Sequence, residues 1–185
     1  MQRVSASDRT AKPNSKAMDR AISAVAQGDR DALRFLYLES GRAVYAYALS
    51  LLKSPQDAED VLHDCFLRAW EHAAAYSSQG KPMAWLLTIA RNLCLSRLRE
   101  RKRIGTLPDD YAQTPAAQTL SPEERMALHA TLSGLSERDR QIVVLHVVAG
   151  MKHREIAAML DMPLGTVLSQ YRRALKKLRT EMEQE

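Results

Sequence analysis

Between Met162 and Thr180 the chain carries Arg172, Arg173, Lys176, Lys177 and Arg179 and no acid. At this spacing the five cations share the outer side of a helix, and a cationic face of this kind neutralises nucleic-acid phosphate. Ser169 and Gln170 are short polar groups near the start of the same segment, where a helix laid in a major groove reaches base edges. The helix N-terminus adds its dipole and free N–H groups, which suit an anion. Arg154, on the preceding helix, is a further candidate for phosphate contact.

The elements that position these residues follow from apolar periodicity. His153, Ile156, Ala157 and Leu160 recur at helical steps and form an inward stripe. A helix cannot continue through Pro163, so Asp161 to Gly165 must turn; Asp tolerates the left-handed conformation better than most residues. Thr166 is expected to cap a second helix whose inward stripe is Val167, Tyr171, Ala174, Leu175, Leu178 and Met182. Two helices joined by a tight turn, with small Ala157 at the crossing, are the layout of a DNA-binding helix-turn-helix.

A second charged surface lies upstream. Ser54-Pro55-Gln56-Asp57 starts a helix with a Ser cap and Pro at the first position. Ala58, Val61, Leu62, Cys65, Phe66, Ala69, Trp70 and Ala73 make its apolar stripe, and the other face carries Asp57, Glu59, Asp60, His63, Asp64, Arg68 and Glu71. Before it, Asp29 caps a helix that runs to Leu52 and stops at Lys53. After it, residues 76–81 read as a loop, and Pro82 opens a helix that ends in a basic run, Arg97 to Arg103.

Residues 104–120 hold two prolines, no Lys or Arg and no periodicity, which marks a linker. Ser121-Pro122-Glu123-Glu124 then forms a capping box, Leu128, Leu132 and Leu135 point inward, and Ser136 caps a helix whose run Ile142 to Val148 is apolar nearly all round and so central. Gly150 ends it. The expected architecture is all-α: a flexible tail at 1–17, a helical domain at 18–103, a flexible linker at 104–120 and a helix-turn-helix domain at 121–185. The orientation of one domain on the other is left open by the sequence.

Composition narrows the function. There are 27 Lys and Arg against 22 Asp and Glu, and the two Cys sit within helical apolar patterns as ordinary reduced thiols of a cytoplasmic protein. His63 and Cys65 face different ways on one helix, while His129, His146 and His153 are scattered. No phosphate loop, HExxH motif or nucleophile elbow is present, so no catalytic residue, metal site or cofactor is expected. No apolar run approaches the ~18 residues of a membrane span, and the first 20 residues lack one altogether.

Two segments together resemble regions 2 and 4 of extracytoplasmic-function (ECF) sigma factors of the sigma-70 family. The first is DAEDVLHDCFLRAWEH at 57–72 with WLLTIARNLCLSRLRERKR at 85–103; the second is LSERDRQIVVLHVVAGMKHREIAAMLDMPLGTVLSQYRRALKKL at 135–178. The resemblance implies a non-catalytic protein that binds core RNA polymerase, reads the −10 and −35 promoter elements, assists promoter melting, and is held by an anti-sigma factor. It implies that Asp57, Glu59, Asp60, His63, Asp64 and Arg68 contact polymerase. It also implies that Tyr76, Gln79, Lys81, Trp85, Arg91, Asn92, Arg99 and Arg103 serve the −10 element, where melted bases need planar groups and backbone cations. Trp85 is either a stacking platform or a core anchor, and its spacing with Ile89 and Leu93 favours core. In region 4, Arg154, Thr166, Ser169, Gln170, Arg172, Arg173, Lys176 and Lys177 would hold the −35 duplex.

Some residues depart from the family pattern. Leu168 and Gln170 stand where basic residues are common, Asp161 where the turn often has Gly, and His63 where Gln is frequent. Promoter elements about 17 base pairs apart lie about 58 Å apart at ~3.4 Å per pair, within reach of two domains on an extended linker. The alternative is a stand-alone helix-turn-helix regulator of duplex DNA. It accounts for 135–183 but gives no role to the acidic face at 57–72 or the basic helix at 85–103.

Overall fold

A computed structural model describes residues 14–78, 80–104 and 120–182, apart from the side chains of residues 104, 181 and 182. The expected linker at 104–120 therefore lies almost wholly outside the described residues, as does most of the expected tail. Eight α-helices are found among the described residues, and no strand.

Helix α1 (Ser15–Val25) starts three residues before the expected domain boundary, because the Asn14 side chain caps it by accepting from the Ala17 N–H at 3.2 Å. Met18, Ala21, Ile22 and Val25 recur at helical spacing and are its buried face. Helix α2 (Arg30–Leu52) begins at Asp29, whose carboxylate accepts from the Asp31 and Ala32 N–H groups. From Ala43 to Leu52 every residue is buried, so this half of α2 is the axis of the molecule. The two serine hydroxyls it buries donate to carbonyls of the preceding turn, Ser40 to Leu36 and Ser50 to Tyr47, whereas the buried Tyr45 and Tyr47 hydroxyls meet no hydrogen-bond partner. Lys53 ends α2 in the left-handed conformation, φ 58°.

Helix α3 (Pro55–His72) follows at once, with the Ser54 hydroxyl accepting from the Asp57 N–H. Its apolar stripe is buried as expected except for Trp70, which is half-buried against the core, and Phe66 meets Tyr37 of α2 edge-on at 5.0 Å. A 3₁₀ turn (Ala73–Ala75) and a loop lead to α4 (Pro82–Ile104), which packs on α1, α2 and α3.

Helix α5 (Pro122–Ser133) carries the expected Ser121–Glu124 capping box. Helix α6 (Glu137–Val143) is capped by Ser136. The apolar run, expected as one central helix, instead widens into a π-turn over Val144–Val148. The Ala149 N–H closes this turn by donating to the Val144 carbonyl, and Val147 emerges 60% exposed. Gly150 (φ 70°) reverses the chain into α7 (His153–Leu160), and Asp161 (φ 52°, ψ 54°) turns it into α8 (Leu164–Met182).

The two helical domains do not stand apart. Helix α2 packs against α5, α6 and the π-turn, α4 touches α7, and buried side chains from both domains form one continuous apolar cluster.

Candidate protein and nucleic-acid interfaces

The acids of α3 are the first candidate surface. They do not all face outward. Arg97 of α4 donates to Asp60 at 3.1 Å and to Asp64 at 3.0 Å, and lies 3.6 Å from Asp57. Arg101, one turn on, pairs with Asp57. Burial works against the charge of Arg97, but the hydrogen bonds it donates to Asp64 and Asp60, with their negative charge, outweigh it and its pKa is raised. Arg97 and Arg101 of the expected cationic run are thus spent on the neighbouring helix, while Arg99, Lys102 and Arg103 remain exposed.

Glu59 corrects the sequence reading more sharply. It was expected on the polar outer face of α3, yet it is buried, because α5 lies over it and Arg125 pairs with it. His63 and Arg68 are exposed; the His63 Nδ1–H donates to the Glu59 carbonyl at 2.9 Å, and Arg68 pairs with Glu71 at 3.1 Å. Asp60 and Asp64, both under half exposed, therefore keep only their outer rims open to solvent, flanked by His63 and Arg68.

The loop after α3 and the start of α4 form the second surface. The Tyr76 and Trp85 rings meet at 4.9 Å, and the Tyr76 hydroxyl donates to Asp19 of α1. Burial, then this bond and the Asp19 charge, push the Tyr76 pKa up, so the hydroxyl stays protonated. Both rings are half-buried and packed on the core, which meets the favoured reading of Trp85 and also gives the pair an outer edge. Lys81 and Asn92 are exposed and Arg91 is half-buried. Gln79 lies outside the described residues.

The third surface is the helix-turn-helix. The Met162 N–H donates to the Ala157 carbonyl at 2.9 Å, closing α7, and Ile156, Ala157, Val167 and Ala174 are buried where α7 and α8 meet. Thr166 does not cap α8. The helix begins two residues earlier, and the Pro163 carbonyl accepts from the Thr166 and Val167 N–H groups. Leu175, expected inside, is 40% exposed, since the buried stripe drifts from it to Ala174 and Leu178.

Arg154, Ser169, Arg172 and Lys176 are exposed as expected. Arg173 is 67% exposed but donates to Asp139 of α6 at 3.2 Å, and Lys177 donates to the Gly134 carbonyl. These two cations brace α8 against the α5–α6 corner. Ser169 donates back to the Thr166 carbonyl at 2.9 Å, and Gln170 turns its side-chain oxygen inward, where it meets no hydrogen-bond partner.

Sequence reasoning missed one cluster. His146 of the π-turn stacks on His153 of α7 at 4.0 Å, and Tyr171 of α8 meets both rings edge-on, at 4.8 and 4.9 Å. The His146 Nδ1–H donates to the Met151 carbonyl at 2.8 Å. The separation of 146 from 153 gave no signal, because the chain reverses at Gly150 between them.

A helical module with a paired acidic and basic helix, followed by a helix-turn-helix module, defines a two-domain DNA-binding protein of the sigma type. Residues 36–104 match the family model for sigma-70 region 2, and residues 125–178 match that for sigma-70 region 4. The ECF RNA polymerase sigma factor SigL of Mycobacterium tuberculosis is 30% identical over 173 residues, covering 88% of this chain and 96% of that protein. The ECF RNA polymerase sigma factor SigK of Mycobacterium ulcerans is 29% identical over 164 residues, covering 84% of this chain and 88% of that one. Among solved structures, the sigma factor RpoE of Bartonella quintana, in complex with the anti-sigma factor NepR, superposes with a TM-score of 0.64 at 27% identity, over 84% of this chain and 98% of its own. The chain belongs to the ECF sigma factors of the sigma-70 family, which are transcription initiation factors. No helix among the described residues is long and apolar enough to cross a membrane.

Proposed function

We propose that this ECF sigma factor docks on core RNA polymerase through the outer rim of α3, with Asp60, His63, Asp64 and Arg68 as its contacts. Docking sets the Tyr76–Trp85 edge, Lys81, Arg91, Asn92, Arg99 and Arg103 along the melted −10 element. Helix α8 holds the −35 duplex, with Arg172, Lys176 and Arg154 on phosphate, Ser169 at a base edge, and Gln170 reaching one once its amide turns outward. The work is done by binding free energy alone, and no covalent chemistry is assigned to any side chain.

One observation carries this reading. The chain joins an acid-rimmed helix suited to a protein with a separate cationic helix suited to a duplex, and a regulator that acts on DNA alone has no use for the first. The Bartonella relative is bound by an anti-sigma factor, and a protein of that kind is the expected regulator here. The protein acts in the cytoplasm with the polymerase. Run-off transcription with purified core polymerase on a genomic fragment library tests the reading. Promoter-specific transcripts are expected only with the protein present; tight duplex binding without core, and no transcript with it, would instead fit a stand-alone regulator.

A further inference from the structure

The loop proposed to meet the −10 element is tied to the N-terminal helix. Tyr76 leaves the 3₁₀ turn in an extended conformation, φ −68° and ψ 123°, and its N–H donates to the Ala73 carbonyl at 3.1 Å. Its ring rests against Trp85 at 4.9 Å, and its hydroxyl reaches 57 positions back along the chain to donate to the Asp19 carboxylate. Helix α1 holds Asp19 in place: Met18, Ala21, Ile22 and Val25 pin the helix on the core, and it packs on both the 3₁₀ turn and α4. The residues that match sigma-70 region 2 begin at 36, so α1 and Asp19 lie upstream of that match.

A base taken out of the stack gains by lying on a planar side chain, and gains most where that side chain is already fixed. Tyr76 is half-buried at the head of a loop whose next residues, Ser77 and Ser78, are exposed. A phenol in this place that bonded only to water would leave its ring free to change rotamer. A carboxylate acceptor makes the bond charge-assisted and directional, and so fixes the ring. An acid beside a surface meant for nucleic acid otherwise repels phosphate, so its presence there is accounted for by what it holds.

We infer that Asp19 is a positioning residue for promoter melting: by accepting from the Tyr76 hydroxyl it holds the Tyr76–Trp85 pair as a preformed edge for one unstacked base of the −10 strand. This rests on the −10 role proposed for that pair. Asp19 acts through Tyr76 and not on the base, and helix α1 thereby becomes part of the element that reads melted DNA. An Asn at this position keeps an acceptor oxygen and with it the bond; an Ala keeps neither.

In the test, holoenzyme assembled from core polymerase and the full chain selects single-stranded DNA oligonucleotides from a random pool. The selected sequence is then remade with an abasic site at each position in turn. In the wild type one position should carry a penalty of about tenfold, the loss of a stacked base. Asp19→Ala and Tyr76→Phe should each cut that penalty to about threefold, and the double variant should cut it no further, because both remove the same bond. Asp19→Asn should keep most of the penalty. Affinity for core polymerase and the penalties at all other positions should not move. A loss that Asp19→Ala spreads over core binding and every position alike means that α1 only supports the fold, and overturns the proposal. So does a wild-type profile in Asp19→Ala where Tyr76→Ala alters it, and in that case the −10 reading stands. A profile that neither variant alters, or a pool from which nothing is selected, overturns the −10 role of the pair and the positioning role with it.

Discussion

Arg97 of α4 places its two terminal nitrogens on two different carboxylates of α3, Asp60 at 3.1 Å and Asp64 at 3.0 Å. One guanidinium thereby aligns the helix proposed for polymerase with the helix proposed for the −10 element. The forked geometry matters, because a lysine offers one point charge and cannot span two acids in this way. The surfaces proposed for docking and for melting are therefore mechanically joined, and a change on one is expected to reach the other.

Removing this joint should cost stability before it costs anything else. Arg97→Ala leaves Asp57, Asp60 and Asp64 clustered with less countercharge, so a loss of about 1–2 kcal/mol is expected, with Arg97→Lys recovering only part of it. Urea unfolding of the three proteins measures it. Equal midpoints for wild type and Arg97→Ala would show that the pairs are too well solvated to matter.

The −35 surface is tested by salt. Arg172 and Lys176 are exposed on α8, whereas Arg173 and Lys177 are held by Asp139 and the Gly134 carbonyl. Replacing Arg172 or Lys176 by Ala should weaken duplex binding across all sequences and flatten the slope of log affinity against log salt by about 0.9 each. Arg173→Ala should change the slope less, since an ion pair with Asp139 is given up when Arg173 turns to phosphate. Identical slopes for Arg172→Ala and wild type would remove α8 from the duplex.

Much of this was legible in the sequence, for reasons tied to locality. Asn14 aside, the caps at Asp29, Ser54, Ser121 and Ser136 and the left-handed turn at Asp161 depend on residues within one helical turn, and each is where local chemistry puts it. What periodicity could not give was the partner of a polar side chain. Glu59, Arg173 and Lys177 all read as outward, and all are turned aside by residues at least 34 positions away, Arg125, Asp139 and Gly134. The π-turn at Val144–Val148 was hidden for a related reason: an apolar run buried on most sides carries no phase, so a widened turn leaves no mark in it.

The backbone at Lys53 offers an independent check on the fold. Its φ of 58° is a conformation L side chains adopt at a cost, and the side chain is exposed. Lys53→Gly should stabilise the protein by up to about 1 kcal/mol, since relief of strain outweighs the added freedom of the unfolded chain. Lys53→Val should destabilise it. Thermal unfolding ranks the three, and a less stable glycine variant would mean that Lys53 does not take this turn.

The histidine cluster sets a pH dependence. Burial, and then the neighbouring His146, hold the pKa of His153 below the usual histidine value of about 6.5. With the folded pKa below the unfolded one, the unfolded chain takes up the proton first as pH falls. Stability is therefore intact above about pH 6.5 and is lost as the pH drops through that value towards the folded pKa. The rings stack 4.0 Å apart, so a proton taken up by His153 is held directly against the neighbouring ring. Tyr171 rests on both rings from α8, so the loss should fall on the seating of the recognition helix rather than on α1 to α4. Hydrogen exchange at pH 7.5 and 5.5 measures this element by element. Protection in α8 should fall at the lower pH while that in α2 holds, and His153→Gln should flatten the difference. Loss of protection at the same rate in α2 and α8 would point instead to general acid unfolding and take the cluster out of the account.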